Sequence, residues 1–162
     1  MVYLDIPGIE GESTHSQNQN WNKKIQVSHF SYDVAQRANL KTGTGLVAAG
    51  ASMSHITFTK TMDRSTPFMW YYLCSGKPIP KVTFRITQAG GDEGVYEIHT
   101  LDCEQVLVTH YSTSGARGAG AMPSENWSFS VGKLTENYDS REKGAPKGKV
   151  TYGFDFAQGV GV

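Results

Sequence analysis

The sequence predicts a mainly β protein. It reads as a compact β-barrel or two-sheet sandwich with one short side helix at about 65–76 and a long extended loop at 35–52. Three observations predict this. Apolar residues recur with a period of two over most of the chain, the pattern of strands with one covered face. A single stretch carries helix start and stop signals. Five of the six prolines (Pro7, Pro78, Pro80, Pro123, Pro146) fall at predicted strand ends or in loops.

In chain order, VYLDI at 2–6 is the first strand. KIQVSHFSYDV at 24–34 changes phase, from Ile25 and Val27 to Phe30, Tyr32 and Val34. Either a β-bulge near Ser28 or His29 restores one buried face, or the two halves serve different environments. Ser31 and Asp33 then point away from Phe30 and Tyr32. HITFTKTM at 55–62 is a noisier strand. In DRSTPFMWYYLCSGKP at 63–78, Ser65 or Thr66 caps a helix, Pro67 suits its first turn and Gly76 its exit. Phe68 to Leu73 are all apolar or aromatic, so this helix lacks a polar stripe; it is either deeply covered or shared with another subunit.

KVTFRIT at 81–87 alternates cleanly, with Val82, Phe84 and Ile86 on one face. GVYEIHT at 94–100, EQVLVTHY at 104–111 and NWSFSV at 126–131 follow. The last strand, KVTYGFDF at 149–156, puts Val150, Tyr152, Phe154 and Phe156 on the covered side. Polar loops fall at 12–23, 35–52, 112–124 and 139–148.

The length of 162 residues favours one domain. Lysine and arginine balance aspartate and glutamate, so charge offers no argument for nucleic acid or anionic membranes. No apolar run reaches a membrane span. The N-terminal residues lack a basic segment followed by an apolar one, so no signal peptide is expected. Cys74 and Cys103 lack metal-motif spacing and are expected as reduced thiols.

The stretch KTGTGLVAAGAS at 41–52 invites a phosphate reading, which its chemistry rejects. Ala51 and Ser52 stand where a phosphate loop needs Lys and Ser or Thr, and a strand follows instead of a helix. His15, His29, His55, His99 and His110 show no metal spacing, although His99 and Cys103 share a strand parity. The acidic group Asp92, Glu93, Glu97, Asp102 and Glu104 reads as turns and solvated strand faces. No catalytic, cofactor or metal residue is expected, which suits a structural or binding protein.

Several motifs together resemble the Hcp family, the haemolysin-coregulated tube proteins of type VI secretion systems. They are YLDIPGIEGES, WNKKIQVSHFSYDV with Phe30-Ser31-Tyr32, TGTGLVAAGAS, ITFTKTMDRSTPFMWYYLCSGK, ITQAGG, VLVTHYSTSG and KGKVTYGFDF. The resemblance covers nearly the whole chain and implies a single tube domain over 1–162. It implies a homohexameric ring, rings stacked into a tube, a contractile sheath around it, a spike protein at its tip and secreted effectors in its lumen. It implies no enzymatic activity, no nucleic acid and no membrane insertion. It places the protein in the cytoplasm before assembly and outside the cell afterwards, without a signal peptide.

On this basis Ser31, His29 and Asp33 are expected to face the lumen and touch cargo. Subunit or ring contacts are expected from Leu40, Lys41, Thr42, Gly43, Thr44, Gly45, Leu46 and Val47 on the loop, and from Trp70 and Tyr71 on the helix. The rival from another class is a monomeric secreted β-sandwich that binds a sugar or small ligand through Trp21 and the aromatic helix. A phage-type tail tube subunit shares the fold and differs in setting.

Overall fold

The computed structural model describes residues 1–14, 19–41, 43, 45–89, 95–115, 120, 122–142 and 145–162. The described residues form, in order, β1 Val2–Asp5, β2 Ile25–Val27, β3 His29–Ser31, β4 Val34–Lys41, β5 Gly45–Met53, β6 Ile56–Thr61, α1 Thr66–Ser75, β7 Ile79–Ala89, β8 Val95–Ser114, β9 Ser124–Glu142, β10 Ala145–Asp155 and β11 Val160–Gly161. This is the mainly β chain with one short helix that the periodicity predicts.

Antiparallel pairing joins β2, β1, β7, β8 and β9 into one curled sheet. β9 then divides its free edge. Its first half pairs β6 and its second half pairs β10, to which β11 adds. Among the described residues the ladder does not close into a barrel: β2 pairs β1 alone and β3 pairs β6 alone. The chain crosses between these two edges at Ser28, whose amide donates to the Thr59 carbonyl at 2.8 Å. The phase change at 24–34 is therefore a change of partner at Ser28, and it keeps one covered face: Ile25 and Val27 lie in the core, and Phe30 and Tyr32 pack against it.

The curled sheet wraps a core that includes Leu4, Ile25, Ile56, Val82, Phe84 and Leu101. Phe58 stands edge-on to Phe129 at 4.8 Å and to Phe84 at 5.6 Å, an arrangement that aromatic quadrupoles favour. One feature lets a pair of long strands serve both halves of the curl. On β8 the inward residues are Leu101 and Cys103, then Val106 and Val108; on β9 they are Trp127 and Phe129, then Leu134. Both strands thus swap faces at Gln105, which takes φ of 55°, and at the neighbouring Gly132. A Cβ on Gly132 would lie 2.6 Å from Gln105 Oε1 and 3.0 Å from its Cβ, so the Gln105 side chain packs over the glycine at this corner.

Three expectations are corrected. The long extended loop expected at 35–52 carries two strands, β4 and β5, paired as a hairpin separate from the main sheet. Its register slips between Gln36 and Ala38, and Gly50 takes the extra residue with φ of 109°, where a side chain would be strained. Gly50 therefore serves strand geometry, while Gly43 and Gly45 take φ of 87° and 74° at the end of the arm. The polar loop at 139–148 is the meeting of β9 and β10, whose strands pair up to Glu142 and Ala145. Lastly, Val150 and Tyr152 are exposed, because among the described residues no second layer covers the start of β10.

Candidate functional site

The expected lumen residues lie on one outward face built from four strands. His29 and Ser31 are exposed on β3, and Asp33 is exposed just beyond it. One row runs Ser31, Thr57, Ser128 and His110 across β3, β6, β9 and β8. The next runs His29, Thr59, Asn126 and Ser112. Ser31 and Thr57 share a hydrogen bond at 2.8 Å, and the Thr59 hydroxyl donates to the Asn126 side-chain carbonyl at 2.8 Å. Sequence reasoning found three residues of this surface and missed the rest. The signal was present: Thr57, Thr59, Asn126 and Ser128 occupy the polar parity of their strands.

Behind this face lies a charge cluster that the sequence reading passed over. Lys60 and Glu125 sit on the inward parity, beside Phe58 and Trp127, and both are fully buried. Lys60 Nζ lies 2.8 Å from Glu125 Oε2, 2.8 Å from Asp63 Oδ1 and 3.0 Å from Thr66 Oγ1. Glu125 also accepts from the Thr66 hydroxyl at 2.9 Å, the Trp127 indole at 3.1 Å and the Tyr111 hydroxyl at 3.2 Å. Asp63 Oδ1 accepts from the Ser65 amide at 3.0 Å. Thus the FTK and D-x-S-T-P segments meet in one buried network that fastens the start of α1 to β6 and β9. A desolvated charge is tolerated only when paired and bonded in this way. Two opposite charges on apolar parities were the available clue.

α1 follows the expected bounds within one residue at each end, with Ser65 before it and Gly76 after it. Of its residues only Met69 is buried, while Trp70 is 52% exposed and Tyr71 59%. The helix therefore presents aromatic surface outward instead of being deeply covered. On the hairpin, Leu40 is 82% and Leu46 74% exposed, with Val47 partly so; Lys41, Gly43 and Gly45 form the end of the same arm. Thr42 and Thr44 lie outside the described residues.

A third apolar surface was not foreseen. A groove of about 430 Å³ lies between the start of β4 and β10, lined by Tyr32, Val34, Leu134, Tyr152, Phe154 and Phe156. The Tyr32 hydroxyl donates to Glu136 beside it. Burial first, and this carboxylate second, push the Tyr32 hydroxyl well above its usual range. Tyr32 is therefore a neutral donor here.

The remaining candidates separate. Trp21 is buried, its ring 5.2 Å from that of Tyr3, so it offers no platform for a sugar. Cys74 is exposed on α1 and Cys103 buried on β8, and both are free. Burial pushes the Cys103 thiol up to about 12, which keeps it protonated and inert. His99 packs near Tyr138 at 6.3 Å. His15, Asp92 and Glu93 lie outside the described residues. Glu97, Asp102 and Glu104 pair with Arg85, Lys81 and Lys133 at 2.8, 3.3 and 3.2 Å, as solvated carboxylates do. Among the described residues no three His, Cys, Asp or Glu side chains are grouped to hold a metal, and no helix is long and apolar enough to cross a membrane.

Comparison with known proteins bears on these surfaces. A family profile described as "Type VI secretion system effector, Hcp" matches residues 3–138. The protein hcp1 of Pseudomonas aeruginosa is 30% identical over 165 residues, covering 98% of this chain and 96% of that one. A solved type six secretion system protein superposes with a TM-score of 0.87 at 25% identity, covering 99% of this chain and 98% of the other. A type VI secretion system effector from Yersinia pestis superposes with a TM-score of 0.74 at 28% identity, over 96% of this chain and 99% of the other.

Proposed function

This chain belongs to the Hcp family and is a structural subunit of the type VI secretion tube; on that premise we propose that six copies close into a ring, that rings stack, and that effectors travel in the lumen. One observation carries the assembly. A single chain with zero net charge leaves apolar surface uncovered on the arm, on α1 and along β10. A monomer would keep such surface small, whereas a ring subunit needs it at its sides. In this reading the arm (Leu40 to Val47) and the helix residues Trp70 and Tyr71 make contacts between subunits or rings. The polar face with His29, Ser31 and Asp33 lines the channel. The spike caps the tube, the sheath surrounds it, and the whole chain over 1–162 acts as one tube domain without enzymatic activity. Secretion through the apparatus from the cytoplasm requires no signal peptide.

Light scattering of the purified protein tests the assembly. The intact chain gives a hexamer mass, and deletion of residues 42–48 shifts it toward monomer. An unchanged hexamer with unchanged tube growth after the deletion rules out the arm as a contact. For the lumen, Ser31→Gln adds bulk on the polar face. Its expected result is intact rings with loss of effector binding and export; undiminished export from intact rings removes Ser31 from the cargo surface.

A further inference from the structure

The chain sorts its charges between two outward faces. On the face formed by β1, β7, β8 and β9, ion pairs join Lys24 to Asp5 at 2.9 Å, Arg85 to Glu97 at 2.8 Å, Lys81 to Asp102 at 3.3 Å and Lys133 to Glu104 at 3.2 Å. The face formed by β3, β6, β9 and β8 differs. Its two rows hold five hydroxyls, one amide and two imidazoles, with no lysine, arginine, aspartate or glutamate. Asp33 stands only at the rim, past the end of β3. Lys60 on β6 and Glu125 on the half of β9 that pairs with it point inward and pair with each other at 2.8 Å.

That chemistry selects a class of partner. A charged side chain brought against these two rows would lose hydration and find no lysine, arginine or carboxylate within them, Asp33 lying at their rim. An uncharged polar side chain would exchange water for hydroxyl, amide and imidazole groups, with no Coulomb term for salt to screen. Four strands about 4.8 Å apart make the face only about 15 Å wide. One copy thus offers far less than the roughly 800 Å² per partner of a stable interface, so holding a cargo takes several copies.

We infer that this face takes cargo through uncharged polar protein surface, rich in serine, threonine, asparagine and glutamine, with several copies of the chain contributing. The inference rests on the lumen assignment above. Three fluorescent peptides of about 30 residues serve as probes against assembled full-length protein: an Asn/Ser/Gln repeat, a Glu-rich and a Lys-rich sequence. The neutral peptide binds assembled rings, with Kd unchanged within about twofold between low and high salt, and the charged peptides bind about tenfold more weakly or not at all. Tighter binding of either charged peptide, a strong salt dependence of the neutral one, or no binding of any peptide overturns the inference.

Asn126→Lys then locates the contact. Rings of this variant gain binding of the Glu-rich peptide that high salt abolishes; rings that bind all three peptides as before show that the peptides sit elsewhere, which also overturns it. Thiol labelling separates this failure from failure of the lumen assignment. In a Cys74→Ser background, Thr57→Cys stays reactive in assembled rings if the face lines an open channel. Protection on assembly places the face between subunits and removes both readings, whereas a reactive Thr57→Cys with the wrong peptide preference removes this inference alone.

Discussion

Lys60→Met lowers the unfolding free energy by about 3–5 kcal/mol, the cost of leaving a buried ion pair half made. The ammonium is fully buried and joins two carboxylates, one of them, Glu125, equally buried. Methionine fills much of the stem's volume, so the loss comes from stranding charge and not from an empty cavity. Glu125 retains three neutral donors, which soften the penalty without cancelling its charge. For a chain of this length the melting temperature falls by roughly 2–4 °C for each kcal/mol. Thermal melts at one protein concentration measure it, since assembly adds its own stability. Adding Glu125→Gln to Lys60→Met should cost less than the two single changes summed, because the double variant no longer buries an unpaired glutamate. Additive losses, or a single-variant loss below about 1 kcal/mol, would show that the cluster does not act as a buried pair.

Gly11→Ala is expected to cost about 3 kcal/mol, at the upper end for overpacking, because its obstacle is backbone. A Cβ on Gly11 would lie 2.4 Å from the Lys24 carbonyl oxygen and 2.6 Å from Ile25 Cα and N. Side chains could rotate away, but main chain cannot without separating two strapped segments. Those segments are joined by the Gly11 amide to the Lys23 carbonyl at 2.8 Å, the Ser13 amide to the Lys24 carbonyl at 3.1 Å and the Lys23 amide to the Ser13 carbonyl at 2.8 Å. The Ser13 hydroxyl adds an acceptor for the Lys24 amide at 2.7 Å. The GES motif is thus a close approach of two backbones followed by a side-chain clasp. Gly148→Ala is the control: a Cβ there meets nothing within 4 Å, and its melt should match the parent within about 0.5 kcal/mol. Equal melts for both variants would refute the close-approach account.

The candidate surfaces were unevenly legible in the residues. Ser31 and His29 could be placed on a polar strand face because strand side chains alternate, and the structure exposes both. The arm was legible as small and glycine-rich, but not as a hairpin. Its apolar residues are too few to show a period of two, and its glycines mask the bulge at Gly50. HITFTKTM read as a noisy strand because Lys60 interrupts its apolar parity. That interruption is half of the buried cluster, and its other half lies 65 residues further on, at Glu125.

By itself the sequence determined what local chemistry can: where strands alternate, where the one helix starts and stops, and which motifs mark the family. Each is set by neighbours within a few positions, through side-chain alternation, capping and the geometry of proline and glycine. Only the tertiary structure decided which strand meets which, that β2 and β3 part at Ser28, that β8 and β9 swap faces at Gln105 and Gly132, and that Val150 and Tyr152 lie uncovered. Period-two alternation separates two faces but names no partner for either. Partners here come from across the chain, as when Thr57 pairs Ser128. Coverage of a face depends on what packs against it, and among the described residues no such layer covers the arm, the outer side of α1 or the start of β10.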